Sequence, residues 1–201
     1  MASWIQRFFG GSKHGHRHDT KKNSPPFVPA VLPPRRDGKK VNPAELYADF
    51  RLRALSHSRA ALGIPEPLGD APAWGLLMES ASTKDVTSLL ALADGTTGIC
   101  HSADGNITAG ENHEAFKKVA LGFVRLAGRS LPLMFGTEDF PSPNPGQTVF
   151  YVFTDYGVFS AAAEQKILTS GQSSLSPLFF AGHVVITQLR SGTASPPSSS
   201  K

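Results

Sequence analysis

Apolar residues change period along this chain, and the changes mark its elements. Leu46, Phe50, Leu52, Leu55 and Leu62 recur near helical spacing. Asn42 ahead of Pro43 supplies a capping side chain followed by a proline at the first helical position, and Gly63 and Pro65 supply a stop. The spacing predicts a helix from Pro43 to about Leu62, with Arg51, Arg53 and Arg59 on its wetter side. Three apolar runs follow: Ala73 to Ser80, Val86 to Ala93 and Thr96 to Ser102. Asp94-Gly95 between the last two provides the positive-φ residue that a hairpin needs, so the runs read as an antiparallel meander. A second Asp-Gly pair, Asp104-Gly105, leads to Ile107, in a segment that reads as a short strand or a loop.

From His113 to about Leu131 the period returns to helical. Phe116, Val119, Ala120, Phe123, Ala127 and Leu131 fall on one face, with Asn112 as the cap. After a proline-rich polar loop from Asp139 to Gly146, Thr148 to Thr154 is the strongest strand in the sequence. Asp155-Tyr156-Gly157 joins it to a second strand from Val158 to Glu164. Ser176-Pro177 opens a last helix to Arg190, apolar almost all round through Leu178, Phe179, Phe180, Val184, Val185, Ile186 and Leu189. The order is helix, three strands, helix, two strands, helix. It predicts an α+β module over residues 42 to 190, with an antiparallel sheet of about five strands packed on helices. Strand 148 to 154 is apolar on both faces, so a second covering layer is needed, from another helix or from a partner subunit. Phe150, Val152, Phe179 and Val185 are the expected anchors if a second subunit provides it.

The ends have a different chemistry. Residues 1 to 68 carry 12 basic and 5 acidic side chains, whereas residues 69 to 191 carry 7 and 11. Residues 1 to 11 form a short amphipathic segment in which a helix gathers Trp4, Ile5, Phe8 and Phe9 on one face. Residues 12 to 41 are a basic linker rich in Pro and His, to which we assign no regular structure. Residues 191 to 201 are a Ser/Pro-rich tail expected to be disordered. The apolar face of the first segment, followed by clustered Lys and Arg, suits docking onto a protein surface or shallow insertion into an anionic membrane. His14, His16 and His18 alternate in the arm as weak metal chelators would, although a solvated basic arm is the simpler reading. Nucleic acid is disfavoured, because aromatics are not interleaved with the arm's charges and the module is acidic.

The element order and the acidic balance of residues 43 to 190 resemble the small dimeric chaperones of type III secretion systems. That resemblance implies a dimer that holds an extended segment of a client protein. The long basic arm departs from the family pattern. A roadblock or longin-like scaffold is the nearest alternative, but its usual division into two and then three strands is not the one read here. Leu92-Ala93-Asp94-Gly95-Thr96-Thr97 and Leu175-Ser176-Pro177-Leu178-Phe179 also resemble stretches of bacterial proteins to which no activity is attached.

Catalytic candidates are few. Cys100 and His101 are adjacent in a strand and so point to opposite faces, which prevents a direct thiol-imidazole pair. His101, Asp104, Glu111, His113 and Glu114 lie close in sequence and offer mixed metal-ligand chemistry, with solvation and helix capping as the plainer alternative. Gly105 and Gly110 lack the lysine and hydroxyl residue of a phosphate loop, and Glu111 repels phosphate. No cofactor is called for. The single cysteine excludes an internal disulfide, and no run reaches the ~18 to 20 apolar residues of a membrane span. The sequence therefore predicts a non-enzymatic, cytoplasmic, dimeric protein-binding or adaptor module, chaperone-like in kind, with a client or partner protein. The alternative is a peripheral membrane protein anchored through Trp4 to Phe9.

Overall fold

The computed structural model describes residues 42–56, 58–64, 72–109 and 114–192. The expected amphipathic segment 1–11, the linker 12–41 with its histidines, and tail residues 193–201 lie outside the described residues. Asn42 caps the first helix as its sequence suggests: its Oδ1 accepts the Ala44 N–H at 3.1 Å, and its carbonyl accepts those of Glu45 and Leu46. This helix, α1 (Pro43–Ser56), stops short of Leu62. Ser58 opens a separate turn there, its Oγ accepting the Ala61 N–H and its carbonyl that of Leu62. Serines that satisfy nearby backbone donors compete with helix continuation.

The remaining strands and α-helices are β1 (Ala73–Ala81), β2 (Val86–Leu92), β3 (Thr97–His101), β4 (Ile107–Ala109), α2 (Glu114–Arg129), β5 (Phe135–Thr137), β6 (Gln147–Thr154), β7 (Gly157–Glu164), α3 (Gln165–Thr169) and α4 (Ser176–Gly192). The architecture is α+β, with one antiparallel sheet in the order β4-β3-β2-β1-β6-β7-β5. The sheet has seven strands rather than the five expected. The additions lie at its two edges and are only three residues long: β4 takes the strand form of the Ile107 segment, read above as a short strand or a loop, and β5 is too short for a period-two pattern to show. The short helix α3 was equally invisible to periodicity. Ser176 does not cap α4 through its side chain; in the turn ahead of the helix, Ser173 Oγ accepts the Leu175 N–H. The Ser176 hydroxyl is buried without a hydrogen-bond partner.

Alternation along the central strands builds two cores. Leu76, Met78, Leu89, Ala91, Ile99, Phe150 and Val152 face α2 and α4, where they meet Phe123, Val124, Ala127, Leu178, Phe179 and Val185. The close approach of α4 depends on Gly182, where a Cβ would lie 2.6 Å from the Met78 Sδ and 3.0 Å from Phe123. Trp74, Leu77, Leu90, Leu92, Val149, Tyr151 and Phe153 face the other way, under Phe50, Ala54 and Leu55 of α1 with Leu62 and Ile64 beyond it. The second layer required by β6 is thus intramolecular on both sides. The expectation that Phe150, Val152, Phe179 and Val185 anchor a subunit interface is corrected accordingly. All four are at most 5% exposed and are spent in the core beneath α2 and α4.

Candidate functional site

Because Glu79 shares its strand face with Leu77, alternation turns it toward α1, into a layer otherwise built from Trp74, Leu90 and Tyr151. It is 0% exposed. A carboxylate in that position is tolerable only with opposite charge and hydrogen bonds around it. Tyr47 and Arg51, one helical turn apart on α1, provide both. Arg51 Nε donates to both Glu79 oxygens at 3.0 Å, and its Nη2 lies 3.0 Å from Oε2. The Tyr47 hydroxyl donates to Oε1 at 3.1 Å. Ser88, the cross-strand neighbour of Glu79, donates to the same oxygen at 2.8 Å.

The clamp extends beyond α1. Arg51 Nη2 also donates to the Phe140 carbonyl at 2.7 Å, and its guanidinium carbon stands 5.9 Å from the centre of the Tyr151 ring. The Tyr151 hydroxyl donates to the Pro141 carbonyl, and the Phe140 ring meets that of Tyr151 edge-on. Arg51 therefore ties together the helix, the sheet and the loop before β6. Burial, followed by the negative charge of Glu79, pushes both the Tyr47 and the Tyr151 phenols up to about 12. Both remain neutral donors near neutral pH, an arrangement that fastens rather than transfers protons.

Above the clamp a groove of about 700 Å³ runs along α1, lined by Tyr47, Ala48, Arg51, Leu52, Leu55 and Ser56 and closed on its far side by Phe140 and Ser142. Its walls are largely apolar. Leu52 stands in it with 65% of its surface exposed. The helical period of 100° per residue places Glu45 and Asp49 beside the solvent edge of this stripe, and the exposed Glu138 and Asp139 immediately precede Phe140. The edge of the groove along α1 thus carries two carboxylates, while Arg51 within its lining is engaged by Glu79.

Asp85 and His101 form a second polar cluster, at the β2–β3 end near the β3–β4 turn. His101 Nδ1 lies 2.9 Å from Asp85 Oδ2 and 3.2 Å from Thr87 Oγ1. Asp85 Oδ1 accepts from the Ser102 hydroxyl and the Ala103 N–H. Burial acts to raise the Asp85 carboxyl, but the hydrogen bonds from His101, Ala103 and Ser102 outweigh it and hold the group below the ordinary value. These hydrogen bonds fasten the hairpin end.

The other sequence candidates do not converge. Cys100 is fully buried, and burial together with the charges of Asp104 and Asp85 pushes its thiol up to about 11, so it is a poor nucleophile near neutral pH. Asp104 accepts the Asn106 N–H within its own turn, while Glu111 and His113 lie outside the described residues. Gly105 has φ +63°, and a Cβ there would come within 2.9 Å of Pro43, so this glycine seats α1 instead of cradling a phosphate. Among the described residues no group of three or more His, Cys, Asp and Glu side chains is placed to hold a metal ion. The helices described include none long and apolar enough to cross a membrane.

Sequence reasoning missed both the Glu79 clamp and the Asp85 pairing. Glu79 carried one signal, a lone acid inside the apolar run Ala73 to Ser80. Asp85 carried another, its place two residues before Thr87, which the hairpin pairs with His101. No family model, curated protein or solved structure matches this chain.

Proposed function

We propose that this protein is a non-enzymatic binding module that receives an apolar segment of a partner protein in the α1 groove, in the manner of an adaptor or client-holding chaperone. The observation that carries this reading is the groove itself. It offers large apolar side chains, Leu52 foremost, on a helix locked to the sheet by a buried ion pair, and rigid placement lowers the ordering cost of binding. Its length along α1 and its apolar lining suit an amphipathic helix or short extended segment presenting several large side chains. The engagement of the Glu79 and Asp85 clusters in fastening the fold, and the raised thiol of Cys100, favour binding over catalysis. Self-association into a dimer belongs to the same proposal, but through surface residues other than the four buried anchors.

Photo-crosslinking in the native host tests the groove. A crosslinking residue replaces Leu52 in one chain and Tyr156, which is 82% exposed outside the groove, in a control. The expected result is an adduct with a second protein at position 52, absent at 156, whose attached peptide comes from that protein and carries several large apolar residues. Equal adducts at both positions, or none at 52, would remove the proposal. Light scattering reports the dimer, and a strict monomer at tens of micromolar would reject that part.

A further inference from the structure

We infer that the groove along α1 is also the seat of the chain's own segment Trp4 to Phe9, so that an outside partner must displace an internal occupant. This rests on the groove reading above and adds its regulation. Three observations point to this occupant.

The first is chemical fit. The groove presents Leu52, Leu55 and Phe140 beside the polar edges of Tyr47 and Arg51. The segment offers Trp4, Ile5, Phe8 and Phe9, whose i, i+1, i+4, i+5 spacing is that of one helix face. The second is charge. Arg7, Lys13, Arg17, Lys21 and Lys22 surround or follow the segment, against one nearby acid, Asp19, whereas Glu45 and Asp49 flank the groove's stripe on α1 and the Arg51 in its lining is already engaged by Glu79. Asp49 is partly answered by Arg53, at 2.9 Å, and Glu45 is exposed.

The third is reach. The linker from 12 to 41 joins the segment to Asn42, at the very start of α1, and the far end of the groove at Ser56 lies only about 21 Å along the helix at 1.5 Å per residue. A flexible chain of about 30 residues has a root-mean-square span of roughly 30 Å, somewhat more with this many prolines. The tether therefore matches the distance, and the effective concentration of the segment at the groove is on the order of millimolar. A segment that binds in trans with only a millimolar Kd is then occupied about half the time in cis, and any tighter binding makes the docked form dominant. Such an occupant blocks weak partners and yields to strong ones.

Trp4 fluorescence tests this in the full-length protein. Trp74 is buried against Phe153, so the difference between the wild type and Trp4→Phe isolates Trp4. The expected Trp4 emission lies at shorter wavelength than in a free peptide of residues 1 to 11, and acrylamide quenches it several-fold less. This protection is independent of protein concentration. Leu52→Asp returns it to the free-peptide value, and because Leu52 is mostly exposed, the melting temperature of that variant serves as the folding control.

Emission equal to the free peptide overturns the inference. So does protection that survives Leu52→Asp, which places the segment elsewhere, or protection that grows with concentration, which makes the occupant a second copy. Protection that appears only with phosphatidylserine vesicles overturns it in favour of a membrane surface. The groove proposal fails separately. Trp4 docking without crosslinked partners at position 52 leaves this inference standing alone, and partner adducts that do not increase when residues 1 to 11 are deleted reject the displacement.

Discussion

Under α2 and α4, β1 contributes Leu76 and Met78; under α1, the same strand contributes Leu77 and Glu79. The first face is covered by two long helices and α3, whose apolar side chains interlock down to Gly182. The second is covered by one helix of 14 residues and a short turn, and holds a buried ion pair. Apolar burial scales with area and has no direction, so it sets strength without fixing where a helix sits. A bidentate arginine on a buried carboxylate has one satisfactory geometry. The contrast teaches that the α1 face trades strength for placement, and a placed helix with spare apolar surface is what a docking groove requires.

The sharpest break of this contrast is Arg51→Ala, which strands the Glu79 carboxylate in an apolar layer. Loss of one partner of a buried pair costs about 3–5 kcal/mol. Urea denaturation should show that loss, and Arg51→Met combined with Glu79→Leu should recover most of it, since paired replacement by apolar groups is often near neutral. A single variant as stable as the wild type would mean that water reaches Glu79 and that α1 is not locked.

On the opposite face the matching test is steric. Gly182→Val drives a side chain into Met78 and Phe123 and should cost about 1–3 kcal/mol by overpacking, with Trp74 fluorescence unchanged because Trp74 lies in the other core. Altered Trp74 emission at low urea would show that the two layers do not respond independently.

Gly105→Ala probes how α1 is seated. A left-handed residue with a Cβ costs about 1–2 kcal/mol, and here the added atom also meets Pro43. Amide hydrogen exchange should speed up in α1 and in the β3–β4 turn while α2 and α4 keep their protection. Uniform acceleration over the whole chain would contradict a local role.

Alkali offers a milder discriminator. The phenols of Tyr47 and Tyr151, raised to about 12 in the fold, both belong to the α1 face. Between about pH 10 and 12 the unfolded chain loses these protons first, so folded stability is complete below pH 10 and declines through that window. Tyr47→Phe should flatten the decline, and melting curves at pH 9 and 11 measure it. Acid acts on the hairpin end instead: the lowered Asp85 carboxyl gives stability that is present above its ordinary value of 3.8 and lost as pH falls below it, a slope that Asp85→Asn removes.

Much of this division was legible in the sequence. The five long strands and α1, α2 and α4 announced themselves by period, Asn42-Pro43 marked its helix start, and the two apolar faces of residues 148 to 154 required two covering layers. What did not show was how the chain supplies those layers, because intramolecular and intermolecular burial leave the same pattern. Phe150, Val152, Phe179 and Val185 were therefore read as interface anchors when the chain's own helices bury them. The clamp was hidden for a related reason. Glu79, Arg51, Phe140 and Tyr151 come from four separate segments, and only register and packing bring them together. Leu52 even counted toward the buried helix pattern, although it faces the groove.

That misplaced leucine gives the smallest effect on stability and the clearest one on function. A residue with 65% of its surface exposed contributes little to the core, so Leu52→Asp should change unfolding free energy by no more than about 0.5 kcal/mol. In the groove the same change puts a charge on the apolar wall, next to Leu55 and opposite Phe140, where any bound apolar segment must desolvate it. Binding of a synthetic peptide of residues 1 to 11 to the protein lacking that segment should then weaken at least tenfold by calorimetry, while Tyr156→Asp, at a still more exposed aromatic site outside the groove, leaves it unchanged. Equal losses at both positions would reduce the groove to general surface stickiness. A loss confined to position 52 would locate recognition on the face that the ion pair holds in place.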